Sequence, residues 1–390
     1  MSTSGLQKSS LQYAKSIQHS LELMSRKSIT PQDAGCQDWL ISKLSALGFE
    51  CHQFEVEGVK NLIASIGEGD RTVAFAGHTD VVPPGPLDKW RVDPFNPELI
   101  GDELIGRGAA DMKTGVAAML AAAQRVLTPG TKLNNRFLWL ITSDEEGEAE
   151  FGSKEIKKYL DACGIKLDHC IIGEPTAKSA TGDTIKVGRR GAISGRIHVS
   201  GKQGHVAYPQ YADNAIHKMA KVIEAMSSIE WDTGSVDFPG TSLQITHIDS
   251  GAFTDNIVPA SCKICFNIRY SHKYDMVALE HLIKEKVSEV TQEFELQWER
   301  PCAPYFTQHK HQSSLIASIE RAIFSNTGRY PVLSTAGGTS DGRFFSDDHT
   351  QVVEIGVPNK TIHQVNERIH LSDLATLEDI YTDLLSELLM

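Results

Sequence analysis

Thr72-Val73-Ala74-Phe75-Ala76-Gly77-His78-Thr79-Asp80 is the stretch that decides the fold class. Its first five residues form a short apolar run bounded by polar ones, which reads as a buried strand. The run delivers His78 and Asp80 at its end, and the carboxyl ends of strands are where open α/β sheets place their ligands. In an extended chain these two residues point the same way, so Asp80 is placed to accept the spare N–H of a metal-bound imidazole. An ordinary surface hydrogen bond explains H-x-D equally well.

The same pattern recurs on both sides. Upstream, Thr30-Pro31-Gln32-Asp33 predicts a helix start, with Thr as N-cap and Pro in the first position, and the helix stops at Gly48. Downstream come an Ala/Leu/Met-rich helix over 114–127, a strand over 137–142, a helix over 153–163 and a strand over 170–172. Alternating strand and helix implies an α/β fold, a mainly parallel sheet flanked by helices. From Ile193 the order becomes strand, helix, two strands, helix, strand, ending near Trp298. That βαββαβ order is ferredoxin-like and reads as an inserted α+β domain. The expected division is 1–190 with 304–390 for the first domain and 191–303 for the insertion, and a chain of 390 residues is long enough for two cores.

Composition excludes several function classes. A formal charge of −12 disfavours a sequence-independent grip on nucleic acid or anionic lipid, both of which need clustered Lys and Arg. The seven cysteines are scattered, which fits reduced thiols; Cys262 and Cys265 have C-x-x-C spacing, but in a strand they point to opposite faces. The segment MSTSGLQKSSLQYAKSIQHS lacks the features of a secretory signal, and no stretch is apolar enough to span a membrane, so a cytoplasmic location is expected.

The chemistry lies where the strands end. Asp111 sits in Gly106-Arg107-Gly108-Ala109-Ala110-Asp111-Met112-Lys113, just before the Ala-rich helix. It is either an acid favoured by the helix dipole or a carboxylate able to bridge two cations. Glu145 and Glu146 follow a strand within Asp144-Glu145-Glu146-Gly147-Glu148, and Glu174 follows the next within Gly173-Glu174-Pro175. A solvated acidic loop is the simple reading of the first cluster, but adjacent acids at a buried strand end repel one another unless a cation is present. Nitrogen and oxygen donors without cysteine suit Zn²⁺, and also Co²⁺ or Mn²⁺.

The strings GHTDVVPPG, GRGAADMKTG, TSDEEGEAEFG and GEPT, in this order and spacing, resemble the successive motifs of the dizinc aminoacylase and carboxypeptidase superfamily. IKVGRRGAISG, GKQGHVAYP, STAGGTSDGRF and NKTIHQVNERI resemble the branch of it that removes a succinyl group from a diamino acid. The likeness covers nearly the whole chain from about residue 11. It implies a dizinc exopeptidase-like fold whose inserted domain serves as lid and dimerisation surface, in a homodimer. It further implies His78 and Glu174 as ligands of one zinc ion, Glu146 and His363 as ligands of the other, and Asp111 as the bridge, with Co²⁺ able to substitute at one site. Spacing alone does not single out His363 among the histidines.

The same resemblance makes Asp80 the residue that orients His78 and Glu145 the general base. It gives His205 to the active site of a partner subunit, as an oxyanion stabiliser. Arg190, Asn256, Arg269, Gly338, Thr339 and Asn359 are the implied binders of a small carboxylate-bearing amide. An interdomain salt bridge is the plainer reading of Arg190 and Arg269, and Gly337-Gly338-Thr339-Ser340 lacks the Lys of a phosphate loop. The chain departs from the family pattern in about ten extra N-terminal residues, in Asp255 beside Asn256 and in Lys360 near His363. Other deacylases or carboxypeptidases, such as one acting on acetylornithine, use the same metals. A catalytically silent binding protein on this scaffold is disfavoured because Glu145, whose implied work is proton transfer, accompanies a full ligand set.

Overall fold

The computed structural model describes residues 14–128, 130–251, 254–308 and 314–390, so most of the N-terminal segment read for targeting signals lies outside the described residues. The chain divides into two compact units: Gly188–Phe306 with Thr335–Thr339 form the smaller, and the rest forms the larger. The smaller unit therefore starts three residues before the expected 191 and ends three after the expected 303, and it also takes in Gly338 and Thr339. The first boundary falls after the strand Thr184–Lys186, where Gly188–Arg189 turns to pair with Tyr305–Phe306.

In the larger unit an eight-stranded sheet runs Glu50–Val56, Val59–Ile66, Arg136–Thr142, Thr72–His78, His169–Ile172, Gln351–Glu354, Thr184–Lys186, Val332–Ser334. Its four central strands, from Arg136–Thr142 to Gln351–Glu354, are parallel. The first three strands in that order pair antiparallel with one another, and the Glu354–Lys186 bridge is antiparallel too, so the sheet is mixed with a parallel centre. Val73, Ala74, Phe75 and Ala76 are all buried, as expected of a strand covered on both faces. Each large apolar side chain so buried contributes about 2 kcal/mol. Phe75 packs edge-on against Trp139 of the neighbouring strand and against Tyr381 of the helix Leu371–Leu389. That helix, Lys15–Met24 and Lys113–Val126 pack on one another, while Cys36–Ala46 and Ser153–Ala162 pack against Val59–Ile66.

One expected element is corrected. The helix predicted from Thr30-Pro31 begins only at Cys36, because Ala34 and Gly35 take left-handed backbone angles (φ 51° and 80°) that no right-handed helix accommodates. The Asp33 carboxylate then accepts the Gln37 N–H, and Thr79 donates its hydroxyl to the same carboxylate. The loop is thus tied to the segment that carries His78.

The smaller unit is an antiparallel four-stranded sheet in the order Ser242–Asp249, Ser261–Tyr270, Gly191–Ser200, Phe294–Cys302. With the helices Ala215–Ser227 and Met276–Ser288 it has the ferredoxin-like order read from the sequence. Its core includes Ile193, Ile197, Met219, Val222, Ile264, Phe266, Leu279 and Ile283. Cys262 is buried in that core, whereas Cys265 is only half-buried, and both are free thiols.

Parallel central strands bring the residues after His78, Thr142 and Ile172 to one edge of the sheet. The helix Lys113–Val126 meets that edge at Gly115, where an added Cβ would lie 2.3 Å from the Gly173 carbonyl oxygen. Alanine has the higher helix propensity by roughly 1 kcal/mol, but here the overlap with backbone dominates. Gly115→Ala is expected to lower stability by about 1–3 kcal/mol, read from urea unfolding. A midpoint at or above that of the parent would contradict this packing.

Candidate metal centre

Four carboxylates and two imidazoles converge at the carboxyl edge of the larger unit's sheet. His78 ends its strand fully buried, and its Nδ1 lies 2.9 Å from the backbone carbonyl of Asp80. If Nδ1–H donates there, Nε2 keeps its lone pair for a ligand. Nε2 faces Asp111 Oδ1 at 3.3 Å and Glu174 Oε1 at 3.5 Å, with Glu145 Oε2 at 4.0 Å. His363, half exposed in a loop, places its Nε2 3.5 Å from Asp111 Oδ2 and 3.1 Å from Glu146. The two oxygens of Asp111 thus face different imidazoles, the arrangement of a carboxylate that can span two ions. His78 with Asp111 and Glu146, and His78 with Glu145 and Glu174, each bring their donor atoms within 4.8 Å of one another.

Asp80 holds this cluster in a way the sequence did not suggest. Its backbone carbonyl is the near partner of His78, with the carboxylate at 3.5 Å. The carboxylate instead accepts the N–H groups of Glu145 (3.3 Å) and Glu146 (3.1 Å), fixing the backbone on which both acids sit. Asp144 leaves the cluster and accepts the Glu150 and Phe151 N–H groups, closing the acidic loop. His363 has a left-handed φ of 59°, which costs a non-glycine residue of order 1–3 kcal/mol and is found where the surroundings impose it.

The charges of this cluster are frustrated. Burial disfavours a charged His78, yet Asp111, Asp80 and Glu174 outweigh it and raise its pKa well above the usual histidine range. Asp111 is buried too, but His363 and His78 hold it below the usual carboxylate range. Burial, then the charge of Glu174, pushes Glu145 well up; burial, then Asp111, pushes Glu174 up to about 8. Asp111 and Glu146 push His363 up to about 10. Moreover, His78 Nε2, Asp111 Oδ1 and Glu174 Oε1 are buried with no hydrogen-bond partner. Buried polar atoms are nearly always satisfied, so three orphans converging on one pocket fit a bound cation, and the nitrogen and oxygen donors suit a borderline divalent ion.

The other residues singled out from sequence fall in two places. Asn359 lies in the larger unit, its N–H donating to the Ala177 carbonyl, in the loop that carries His363. Arg190, His205, Asn256, Arg269, Gly338 and Thr339 all belong to the smaller unit. There the short strands Gly204–His205 and Ile257–Val258 pair, and the Val206 N–H donates to the Asn256 carbonyl, so exposed His205 and Asn256 are neighbours. Arg190 donates to the Gly240 carbonyl, and Arg269 donates through Nε to Asn267. Sequence reasoning passed over Glu367 and Arg107, although both stood within quoted motifs. Glu367 accepts the Ala110 and Asp111 N–H groups.

The family model described as peptidase family M20/M25/M40 matches residues 74–387. The chain belongs to this family of peptide- and amide-bond hydrolases, and it carries a metal site. Among curated relatives, succinyl-diaminopimelate desuccinylase 1 of Alteromonas mediterranea is 56% identical over 377 residues, 96% of this chain and 97% of the relative. Succinyl-diaminopimelate desuccinylase 2 of Shewanella loihica is 52% identical over 368 residues, covering 94% and 98%. The fold matches that of an M20 family metallo-carboxypeptidase from Sulfolobus solfataricus (TM-score 0.80, 17% identity, 95% of this chain and 98% of that one). It also matches that of a dinuclear metal binding peptidase of the M20 family from Bacillus subtilis (TM-score 0.71, 14% identity, 96% and 97%).

With Glu174 pushed up to about 8 and His363 up to about 10, a cation binding to these groups competes with protons. Calorimetric titration with Zn²⁺ at pH 7, in buffers of different ionisation enthalpy, is expected to show net proton release on binding. The apparent affinity should rise as pH rises from 6 to 8. Heats independent of the buffer would contradict the charge balance described.

Proposed function

We propose that this chain is a succinyl-diaminopimelate desuccinylase, hydrolysing N-succinyl-LL-2,6-diaminopimelate to succinate and LL-2,6-diaminopimelate in the route to diaminopimelate and lysine. The observation that carries this is identity of 56% to a curated desuccinylase over 96% of the chain, taken with the buried donor cluster. In the ligand scheme His78 and Glu174 would hold one ion, Glu146 and His363 the other, and Asp111 would be shared by both. The opposed oxygens of Asp111, 3.3 Å from His78 and 3.5 Å from His363, support it. Two Zn²⁺ ions, with Co²⁺ able to replace one, supply Lewis acidity and lower the pKa of water when bound.

The chain's own residues do the rest. Glu145, half-buried and with Oε2 4.0 Å from His78 Nε2, takes the proton of the attacking water and passes it to the departing amine nitrogen. Asp80 keeps that carboxylate aimed by holding its backbone N–H. His205 donates to the developing oxyanion, reaching the site from a partner subunit of a homodimer joined through the smaller unit. Arg190 and Arg269 recognise carboxylates, for which the guanidinium fork is suited, helped by Asn256, Gly338, Thr339 and Asn359. Among the described residues no helix is long and apolar enough to cross a membrane, and a cytoplasmic location accords with the substrate.

Glu145→Gln keeps the shape and removes the base. It is expected to lower kcat by roughly 10²–10⁴-fold while metal content per chain is unchanged. Undiminished turnover would remove Glu145 from the mechanism. In a substrate panel, the succinyl substrate should be hydrolysed in preference to acetylornithine and to dipeptides. Activity on acetylornithine with none on the succinyl compound would overturn the specificity.

A further inference from the structure

Arg107 and Glu367 make an ion pair that the chemistry above does not use. Nη1 lies 2.6 Å from Oε2, and both side chains are 1% exposed. Glu367 accepts four donors: Oε1 takes the N–H groups of Ala110 (2.7 Å) and Asp111 (3.0 Å), and Oε2 takes the Gly108 N–H (3.1 Å) beside the guanidinium. Arg107 reaches two further loops, with Nη1 3.3 Å from the Gln364 carbonyl and Nη2 3.2 Å from the Pro83 carbonyl. Its guanidinium also lies over the Trp90 ring at 5.3 Å. One pair therefore ties together the segment following Asp80, the loop ending in Asp111 and the residue next to His363.

We propose that the Arg107–Glu367 pair is a positioning device that sets Asp111 and His363 and so fixes the affinity for the ion those two share. This rests on the ligand scheme given above. A buried ion pair is weak evidence for stability, since apolar residues often replace one without loss, so its placement asks for another account. A carboxylate that accepts three backbone N–H groups leaves the peptide of Asp111 little freedom, and charge-assisted bonds of this kind are strong and short. His363 has less support of its own: it is half exposed, has left-handed backbone angles and is adjacent to the Gln364 carbonyl that Arg107 holds. Without that tether, binding the ion must also order the loop, and affinity falls by that cost. Glu146 is anchored separately through Asp80, and Glu174 follows a central strand. The effect of the pair is therefore larger at the ion that His363 and Glu146 would hold, and smaller at the other, which depends on it only through Asp111.

The test uses the full chain, stripped of metal by a chelator and titrated with Zn²⁺ by calorimetry and with Co²⁺ by its visible spectrum. Glu367→Gln places an amide N–H₂ against N–H donors, whichever way the side chain turns. Arg107→Lys keeps the charge facing Glu367 but loses the fork that reaches Gln364 and Pro83. Each variant is expected to bind the ion of His363 and Glu146 about ten- to a hundredfold more weakly, with a smaller loss at the ion of His78 and Glu174. Parent-like affinity at both sites, even with a lower melting temperature of the metal-free protein, would overturn the proposal and leave the pair a structural contact. If Glu367→Gln does not fold, Arg107→Lys decides. Asp111→Asn is the control: if it too leaves both affinities unchanged, the ligand scheme has failed, and the positioning role falls with it.

Discussion

Repulsion among carboxylates gathered at one sheet edge is the constraint on which the rest of the larger unit depends. Two unit charges about 4 Å apart interact by roughly 4 kcal/mol at an effective dielectric constant of about 20, and here Asp111, Glu145, Glu146 and Glu174 crowd one pocket. Two imidazoles offset part of that, and burial and crowding push the pKa of Glu174 up to about 8 and, through Asp111 and Glu146, that of His363 up to about 10. A scaffold that keeps such groups together must be rigid, and the fully buried central strands provide the rigidity. The backbone N–H groups of Glu145, Glu146 and Asp111 are themselves held by Asp80 and Glu367. The acids are thus aimed from behind, by hydrogen bonds to the main chain, which leaves their oxygens free for a cation.

Much of this was legible in the sequence because it is local. A buried apolar run predicts a strand, a strand's end predicts where a polar residue lands, and parallel order puts several such ends on one edge. His78, Glu145, Glu146 and Glu174 follow from that logic, as does the βαββαβ order of the smaller unit. His363 does not, because it lies in an irregular loop with a left-handed backbone, where no periodicity indicates direction. The helix placed at Thr30 failed for a related reason: cap chemistry suggested a start, but the left-handed turn at Ala34 and Gly35 came after it. Glu367 is far from Asp111 in the chain, and nothing in the sequence pattern pairs them.

The division of residues between the two units separates two kinds of chemistry. Proposed ligands and the proposed base sit in the larger unit, on strand ends and anchored loops. Proposed contacts to substrate carboxylates sit mainly in the smaller one, where His205 and Asn256 are neighbours on paired short strands.

The claim that the acidic cluster is a two-ion centre is tested most directly by anomalous diffraction at the zinc absorption edge, from crystals of the full chain grown with Zn²⁺. The account predicts two peaks in the larger unit, one among His78, Glu174 and Asp111 and the other among His363, Glu146 and Asp111. No peak at this cluster, or a peak that touches neither oxygen of Asp111, would contradict it.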